Sequence, residues 1–368
     1  MSSTSLSHTG ETLYIGGLLP AQWYTFSVSS FSGPVQSVPV SLTCQTAPRA
    51  LTDFLSEFVK HCLNCNLFYQ GFNQEDVPDL STVGTEQSCT AATLPENKSK
   101  NRFTNVLAYD SSRVKLAAQT GSDSDYINAN YIHGYGKKNN QYIAAQGPLP
   151  STVNDFWRMV WEQKSSVIVM LTNCTEGKKI KCEHYWPLDY KPCLYGNLWV
   201  TIQSEQKESC WTLREFVIKN ESSSEERTVT QFHFTAWPDH GVPERTDELI
   251  QFRWIVRQHI ETFPFSGPTV VHCSAGVGRT GTLIVLDIVL QQIDKEKLVS
   301  IADCVHRMRL SRPLMVQTQS QYVFLHQCIM DSLQQKEGSI PEPIYENSDM
   351  IFANALALKE YLPASPRV

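Results

Sequence analysis

Cys273 is followed six positions later by Arg279 in the stretch Val271-His272-Cys273-Ser274-Ala275-Gly276-Val277-Gly278-Arg279-Thr280-Gly281. A cysteine is a nucleophile as its thiolate, and an arginine carries a permanent planar fork that can grip two phosphate oxygens at once. The stretch follows an apolar run and opens a helical pattern, where backbone N–H groups and the helix dipole favour an anion. Gly276 and Gly278, with the small Ser274 and Ala275, let the amides from Ser274 through Val277 to Gly278 point inward around phosphate oxygens. The same positive surroundings favour the thiolate of Cys273 over its thiol. A lone cysteine reads as a packed core residue and a lone glycine-rich turn as a turn. The Cys–Arg spacing across strand, loop and helix points instead to covalent capture of a phosphoryl group.

A second stretch, Trp237-Pro238-Asp239-His240-Gly241-Val242-Pro243, has two prolines and a glycine in seven residues and reads as a hinged loop. Cleaving a phosphoester expels an oxygen that leaves faster when protonated, so the reaction needs a general acid, and Asp239 is the candidate. The plain alternative is a turn aspartate.

These stretches resemble the protein tyrosine phosphatase family, whose signature is His-Cys, five residues, Arg, then Ser or Thr. The resemblance runs from about Glu57 to Gln335. It implies a phosphocysteine on Cys273, with Arg279 on the equatorial oxygens and Asp239 as acid and then base. Thr280 would stabilise the sulfur as the enzyme is regenerated, and His272 would support the loop by hydrogen bonding without moving a proton. No cofactor and no metal are implied. In Gln317-Thr318-Gln319-Ser320-Gln321 the resemblance assigns Gln317, and secondarily Gln321, to orienting the hydrolytic water; Gln321 also has capping-box spacing from Thr318. In Lys100-Asn101-Arg102-Phe103-Thr104-Asn105 it assigns Phe103 to stacking on the substrate ring, in a pocket too deep for phosphoserine. Many relatives have Tyr at Phe103, some have an acidic residue at Asn105, and Ala108 replaces a frequent Pro. Glu176 and Lys181 resemble a loop beside the pocket, where Lys181 could pair with Asp239 on closure; a solvated run of charges is the alternative. Asp125 to Asn130 and Gln146-Gly147-Pro148 read as scaffold. A catalytically dead phosphotyrosine-binding module would lack Cys273, Arg279 or Asp239, and a dual-specificity or lipid phosphatase would not need Phe103.

The elements that must hold these residues alternate. Strands are expected over 125–132, 141–145, 167–171, 228–235 and 269–272, and helices over 152–163, 247–262, 280–293 and 319–333, with Thr246 and Thr318 as N-caps. That pattern predicts an α/β domain of the α+β type, a mixed twisted sheet flanked by helices, over residues 49–336. Residues 1–48 differ. Trp23 to Ser29 and Val35 to Thr43 alternate as strands and resemble the late part of a fibronectin type III module, with Tyr24 as its corner tyrosine, so a partial β-sandwich remnant is expected. Residues 337–368 read as a disordered tail. Within it Tyr345-Glu346-Asn347 resembles a ligand of Src-homology-2 adaptors once phosphorylated.

Composition narrows the partners. With 31 basic and 37 acidic residues the net charge is −6, which argues against nucleic acid and for phosphotyrosine-containing proteins. No stretch of eighteen apolar residues and no signal peptide is read, so the chain is expected in the cytoplasm. The receptor-type phosphatases it resembles, with fibronectin repeats and one catalytic domain, would sit at the plasma membrane, and the chain reads as a short form without the span. Eleven cysteines read as free thiols, and Cys62 and Cys65 as helix residues with no zinc partners nearby.

Overall fold

The computed structural model describes residues 80–337, apart from 118–123, 138–139, 224, 264–265 and 297–299, together with short strands between 23 and 45. The helix expected around Cys62 and Cys65 (Leu51 to Leu67) and the tail with Tyr345 lie outside the described residues. In the N-terminal part, β1 (Trp23–Val28) pairs antiparallel with β2 (Val40–Gln45), Tyr24 opposite Cys44. The second expected stretch thus holds two strands, Val35–Gln36, paired with Phe31–Ser32, and β2.

Residues 80–337 are built on one nine-stranded sheet. Its strands in chain order are β3 (Arg113–Lys115), β4 (Tyr126–Ile132), β5 (Tyr142–Ala145), β6 (Val167–Met170), β7 (Cys193–Tyr195), β8 (Leu198–Lys207), β9 (Trp211–Asn220), β10 (Glu226–Phe234) and β11 (Thr269–His272). Across the sheet they run β7-β8-β9-β10-β6-β11-β5-β4-β3. The four central strands, β10, β6, β11 and β5, are parallel neighbours, and antiparallel strands extend both edges. Helices cover both faces: α1 (Val153–Glu162) on one, and α2 (Thr246–Thr262), α3 (Gly278–Glu296), α4 (Ile301–Ser311) and α5 (Gln319–Glu337) on the other.

Two-sided burial explains why the central strands read as unbroken apolar runs. Val169, Val271 and Ala144 face the four-helix side, whereas Ile168, Val270 and Ile143 face α1, following the two-residue period of a strand. Asp287, which breaks the apolar run of α3, is buried against Arg253 and Arg257 of α2 and the Tyr142 hydroxyl. A buried carboxylate is tolerable only with such partners, and this one ties α2, α3 and β5 together.

The mixed sheet flanked by helices is as expected, and within residues 80–337 every expected strand and helix forms, within a few residues at the ends. Thr246 is a correction: it is the first helical residue, Arg245 occupies the cap position, and the Thr246 hydroxyl donates to Asp331 of α5 instead. Thr318 does cap α5. Its hydroxyl accepts from Gln321 N at 3.2 Å, while Gln321 Oε1 accepts from the N–H groups of Gln317 and Thr318. Strands β3 and β7 to β9 and helix α4 were not anticipated. Ile301, Cys304, Val305 and Met308 have helical spacing, and Ser300 caps α4 by accepting from Asp303 N, so that helix was legible.

Candidate active site

Cys273 follows β11 directly, at the carboxyl end of the parallel strands, and α3 begins at Gly278. The intervening turn is forced by Gly276, which has φ of +72°; a Cβ there would come within 2.1 Å of the Ala145 carbonyl oxygen. Its N–H donates to Cys273 Sγ at 3.3 Å. Gly281 is equally tight: a Cβ would lie 2.4 Å from Val316 N, and Val316 N donates to Val277 O. The turn is thereby clamped between β5 and the segment before α5.

Arg279 lies one residue into α3 and turns back over the same turn. Its guanidinium pairs through both nitrogens with the Glu176 carboxylate, at 2.5 and 2.9 Å, and donates to Leu171 O and Pro238 O. Glu176 is buried, and burial alone would raise its carboxyl. Bonds from Arg279, the Thr172 hydroxyl and Asn173 N outweigh that and hold it below the usual range. The guanidinium is thus fixed before any ligand arrives, which lowers the entropic cost of using it.

His272 is fully buried, and its Nδ1 sits 3.3 Å from Cys273 O, so that nitrogen must carry the hydrogen. Nε2 then accepts from the Tyr185 hydroxyl at 2.9 Å, which in turn accepts from Gln231 Nε2 at 2.7 Å. Burial pushes the imidazole down to about 3, so it is neutral at physiological pH. A neutral ring tied at both nitrogens holds the loop.

Behind the turn lies a residue that sequence reasoning missed. Arg312 is fully buried and donates to Gly276 O, Ala275 O, Asn130 Oδ1 and Asn128 Oδ1 at 2.7 to 3.0 Å. Asn128 and Asn130 stand two apart on β4 and so share a face. Their amide nitrogens tie down Val106 O and Tyr109 O. Burial lowers Arg312 to about 10, leaving it charged at neutral pH. Replacing it with methionine strands four acceptors, and each buried unpaired one costs about 1–3 kcal/mol. Arg312→Met should therefore lose at least about 3 kcal/mol of stability, read from the urea midpoint; an unchanged midpoint would show that the turn stands without it.

The turn opens onto a cavity of about 620 Å³ lined by Cys273, Ser274, Ala275, Gly278, Arg279, Gln317 and Gln321, with Arg102, Phe103, Thr172, Glu176 and Lys179 to Lys181 around them. Phe103 is 40% exposed and forms part of this wall. Its loop is fastened by Gln146-Gly147-Pro148: Arg102 donates to Gln146 Oε1, Gly147 O and Pro148 O, and Gly147 N donates to Ser274 O. The stretch read as scaffold thus joins the Phe103 loop to the Cys273 turn.

Several expected residues are placed otherwise. Asn105 is exposed and does not line the cavity, and neither do Gly276 and Val277. Thr280 is fully buried and its hydroxyl has no hydrogen-bond partner, so it does not bond the sulfur in this structure. Lys181 lies 3.7 Å from Glu176, and with Asp239 exposed the two are not paired in this arrangement of the loop. Asp239 is exposed, lies outside the cavity lining, and abuts Gly177 in the turn between Thr175–Glu176 and Lys179–Ile180. Two residues earlier, Trp237 is only 3% exposed, its indole N–H donating to Gly241 O. The loop is therefore anchored by a buried tryptophan and carries its carboxylate in solvent.

Residues 97–331 match the family described as protein-tyrosine phosphatase. The chain is similar to receptor-type tyrosine-protein phosphatase eta of Homo sapiens, 51% identical over 274 residues, which is 74% of this chain and 20% of that protein. It is also similar to receptor-type tyrosine-protein phosphatase H of Homo sapiens, 48% identical over 78% of this chain and 26% of that one. A Homo sapiens protein named as a phosphatidylinositol phosphatase is 45% identical over 80% of this chain and 12% of its own length. The chain spans about a quarter or less of these relatives.

Proposed function

The chain belongs to the protein-tyrosine phosphatase family, and on that premise we propose that it hydrolyses phosphotyrosine in proteins through a phosphocysteine on Cys273. The observation that carries the reading is a buried cysteine lining a cavity, with the Arg279 guanidinium fixed beside it by Glu176. A phosphate entering there meets the N–H groups at the start of a helix and a guanidinium already fixed in place, which exchanges its bond to Pro238 O for one to a phosphate oxygen.

In the proposed sequence Cys273 sulfur attacks phosphorus, the P–O bond to tyrosine breaks, and Asp239 delivers the proton to the departing oxygen. Water, oriented by Gln317 and Gln321, then attacks phosphorus while Asp239 takes its proton, and the thiolate leaves. For Asp239 to act, its loop must swing inward. Arg279 supports that coupling, since one of its donors rests on Pro238 O, the carbonyl just before Asp239. Thr280 would reach the sulfur by a turn of its side chain. Gln321 oxygen is held by two backbone N–H groups, and its Nε2 lies beside Gly278, which favours a donor role at the cavity for that nitrogen.

Phe103 supports the aryl substrate, and one experiment tests the class: turnover of phosphotyrosine and phosphothreonine peptides and of a phosphoinositide, side by side. Phosphotyrosine should be preferred by at least about 10²-fold, as rejection by a missing stacking partner and depth would give. Equal turnover of the phosphoinositide, for which the neighbouring Lys179 and Lys181 would be the recognition groups, would overturn the assignment.

We further propose a cytosolic setting, because a nucleophilic thiolate and the other free cysteines among the described residues, such as Cys182, Cys304 and Cys328, persist where thiols stay reduced. No helix among the described residues is long and apolar enough to cross a membrane. A fibronectin-like origin for residues 1–48 is supported by the antiparallel β1–β2 pairing. For Tyr345 we propose capture of a Src-homology-2 adaptor, the phosphate entering an Arg-lined pocket and Asn347 adding an amide bond. A phosphorylated 340–352 peptide should pull down the adaptor, and its Asn347→Ala form should not. Equal capture by both, or by neither, would remove the tail as a docking site of this kind.

A further inference from the structure

The hairpin that holds Glu176 against Arg279 is bracketed by two thiols, Cys174 before Thr175–Glu176 and Cys182 after Lys179–Ile180. Cys174 O accepts from Lys181 N at 2.8 Å and from Cys182 N at 3.3 Å, so the two cysteines face each other where the hairpin closes. Such spacing brings the two Cα atoms near the roughly 4.4–6.8 Å span that disulfides use. The two differ in setting. Cys182 is 1% exposed and packs at the junction of Gly147 with the Cys273 turn, where a Cβ on Gly147 would meet Cys182 Sγ at 3.1 Å and Cys273 O at 2.7 Å. Cys174 is half-buried and open to small solutes. A hydrogen bond from Cys182 holds the Cys174 thiol below its usual range, whereas burial drives the Cys182 thiol up.

We propose that Cys174 and Cys182 form a dithiol site that a hydroperoxide converts to a reversible disulfide, closing a ring around the hairpin that carries Glu176. Cys174 is the attacking sulfur. It takes one peroxide oxygen as the O–O bond breaks, leaving a sulfenic acid and a hydroxide that is protonated to water. Cys182 sulfur then attacks the Cys174 sulfur, the S–O bond breaks, and the hydroxyl leaves as water with the Cys182 proton. The two electrons lost by the sulfurs are those gained by the peroxide. In the disulfide, Cys182 Sγ gives up its bond to Glu183 O, and the hairpin between the sulfurs is pulled with it. Glu176 is then displaced from Arg279, and the cavity holds phosphate less well.

The full chain carrying Cys273→Ser isolates these sulfurs from catalytic oxidation. After brief hydrogen peroxide, alkylation and peptide mass mapping, a Cys174–Cys182 linked peptide should appear and vanish on treatment with dithiothreitol. Oxidised Cys273→Ser protein should also bind a phosphotyrosine peptide at least threefold more weakly than the reduced form, and adding Cys174→Ser should abolish both effects. Cys174 recovered as free thiol, or oxidised without linkage, would overturn the proposal; so would a linked protein of unchanged affinity. Failure of the reduced Cys273→Ser protein to bind the peptide at all would instead count against the phosphatase reading, leaving the linkage result to decide this one.

Discussion

Cys273→Ser protein should release no phosphate above background from a phosphotyrosine peptide, while binding that peptide as well as the parent or better. The two halves have different causes. Turnover requires a nucleophile that is anionic near neutral pH and a fair leaving group in the second step, and a serine hydroxyl is neither. Binding rests on groups that the substitution leaves alone: the N–H groups at the start of α3 and the Arg279 guanidinium, fixed by Glu176. The hydroxyl is smaller than the thiol and puts no new group in the way of the incoming phosphate, which is why affinity should not fall. The change in volume is small, and the buried site keeps its packing. Turnover within a few-fold of the parent in purified protein would sink the nucleophile assignment, whatever the binding.

Asp239→Ala should lower turnover of a phosphotyrosine peptide by about 10² to 10⁴, the range of general acid catalysis. At about 1.4 kcal/mol for each factor of ten, that is about 3–5 kcal/mol of transition-state stabilisation. Asp239 is exposed in the structure, so the variant should fold with the parent's stability, and its defect should be kinetic. Leaving-group dependence separates the roles. With an aryl phosphate whose phenol is acidic enough to depart unprotonated, the loss should shrink towards that of the second step. Equal losses on both substrates would mean that Asp239 shapes the loop and transfers no proton.

How much of this was legible in the sequence follows from how far apart the partners lie along the chain. Cys273, the glycines and Arg279 sit within seven residues, so their chemistry was visible without a fold. The central strands were visible because burial on both faces makes them uniformly apolar. Arg312 was not. It sits in a stretch with Arg307 and Arg309 that resembles an exposed basic run, and its partners Asn128 and Asn130 are 184 and 182 positions away. The Glu176–Arg279 pair was hidden for a similar reason: Glu176 was visible as a charge near the pocket, but only the fold shows that Arg279 claims it. Asn105 was assigned from a position where some relatives hold the substrate backbone with an acidic residue, and the structure leaves it exposed, outside the cavity lining.

The brace behind the Cys273 turn also fixes when in the life of the molecule activity can arise. Arg312 must reach β4 and the turn together, and Gln321 must reach Gly278, so the turn is complete only after α4 and the start of α5 have docked. Contacts of such long sequence separation form late, because closing the intervening chain costs entropy before the contacts repay it. A chain emerging from the ribosome therefore carries Cys273 and Arg279 for some 40 residues before it can use them. In refolding, helical and sheet signals should return ahead of turnover, with catalysis as the last property regained. A partly made chain is thus an inert one, and the cell is spared an untethered hydrolase cleaving phosphates before its domain is whole.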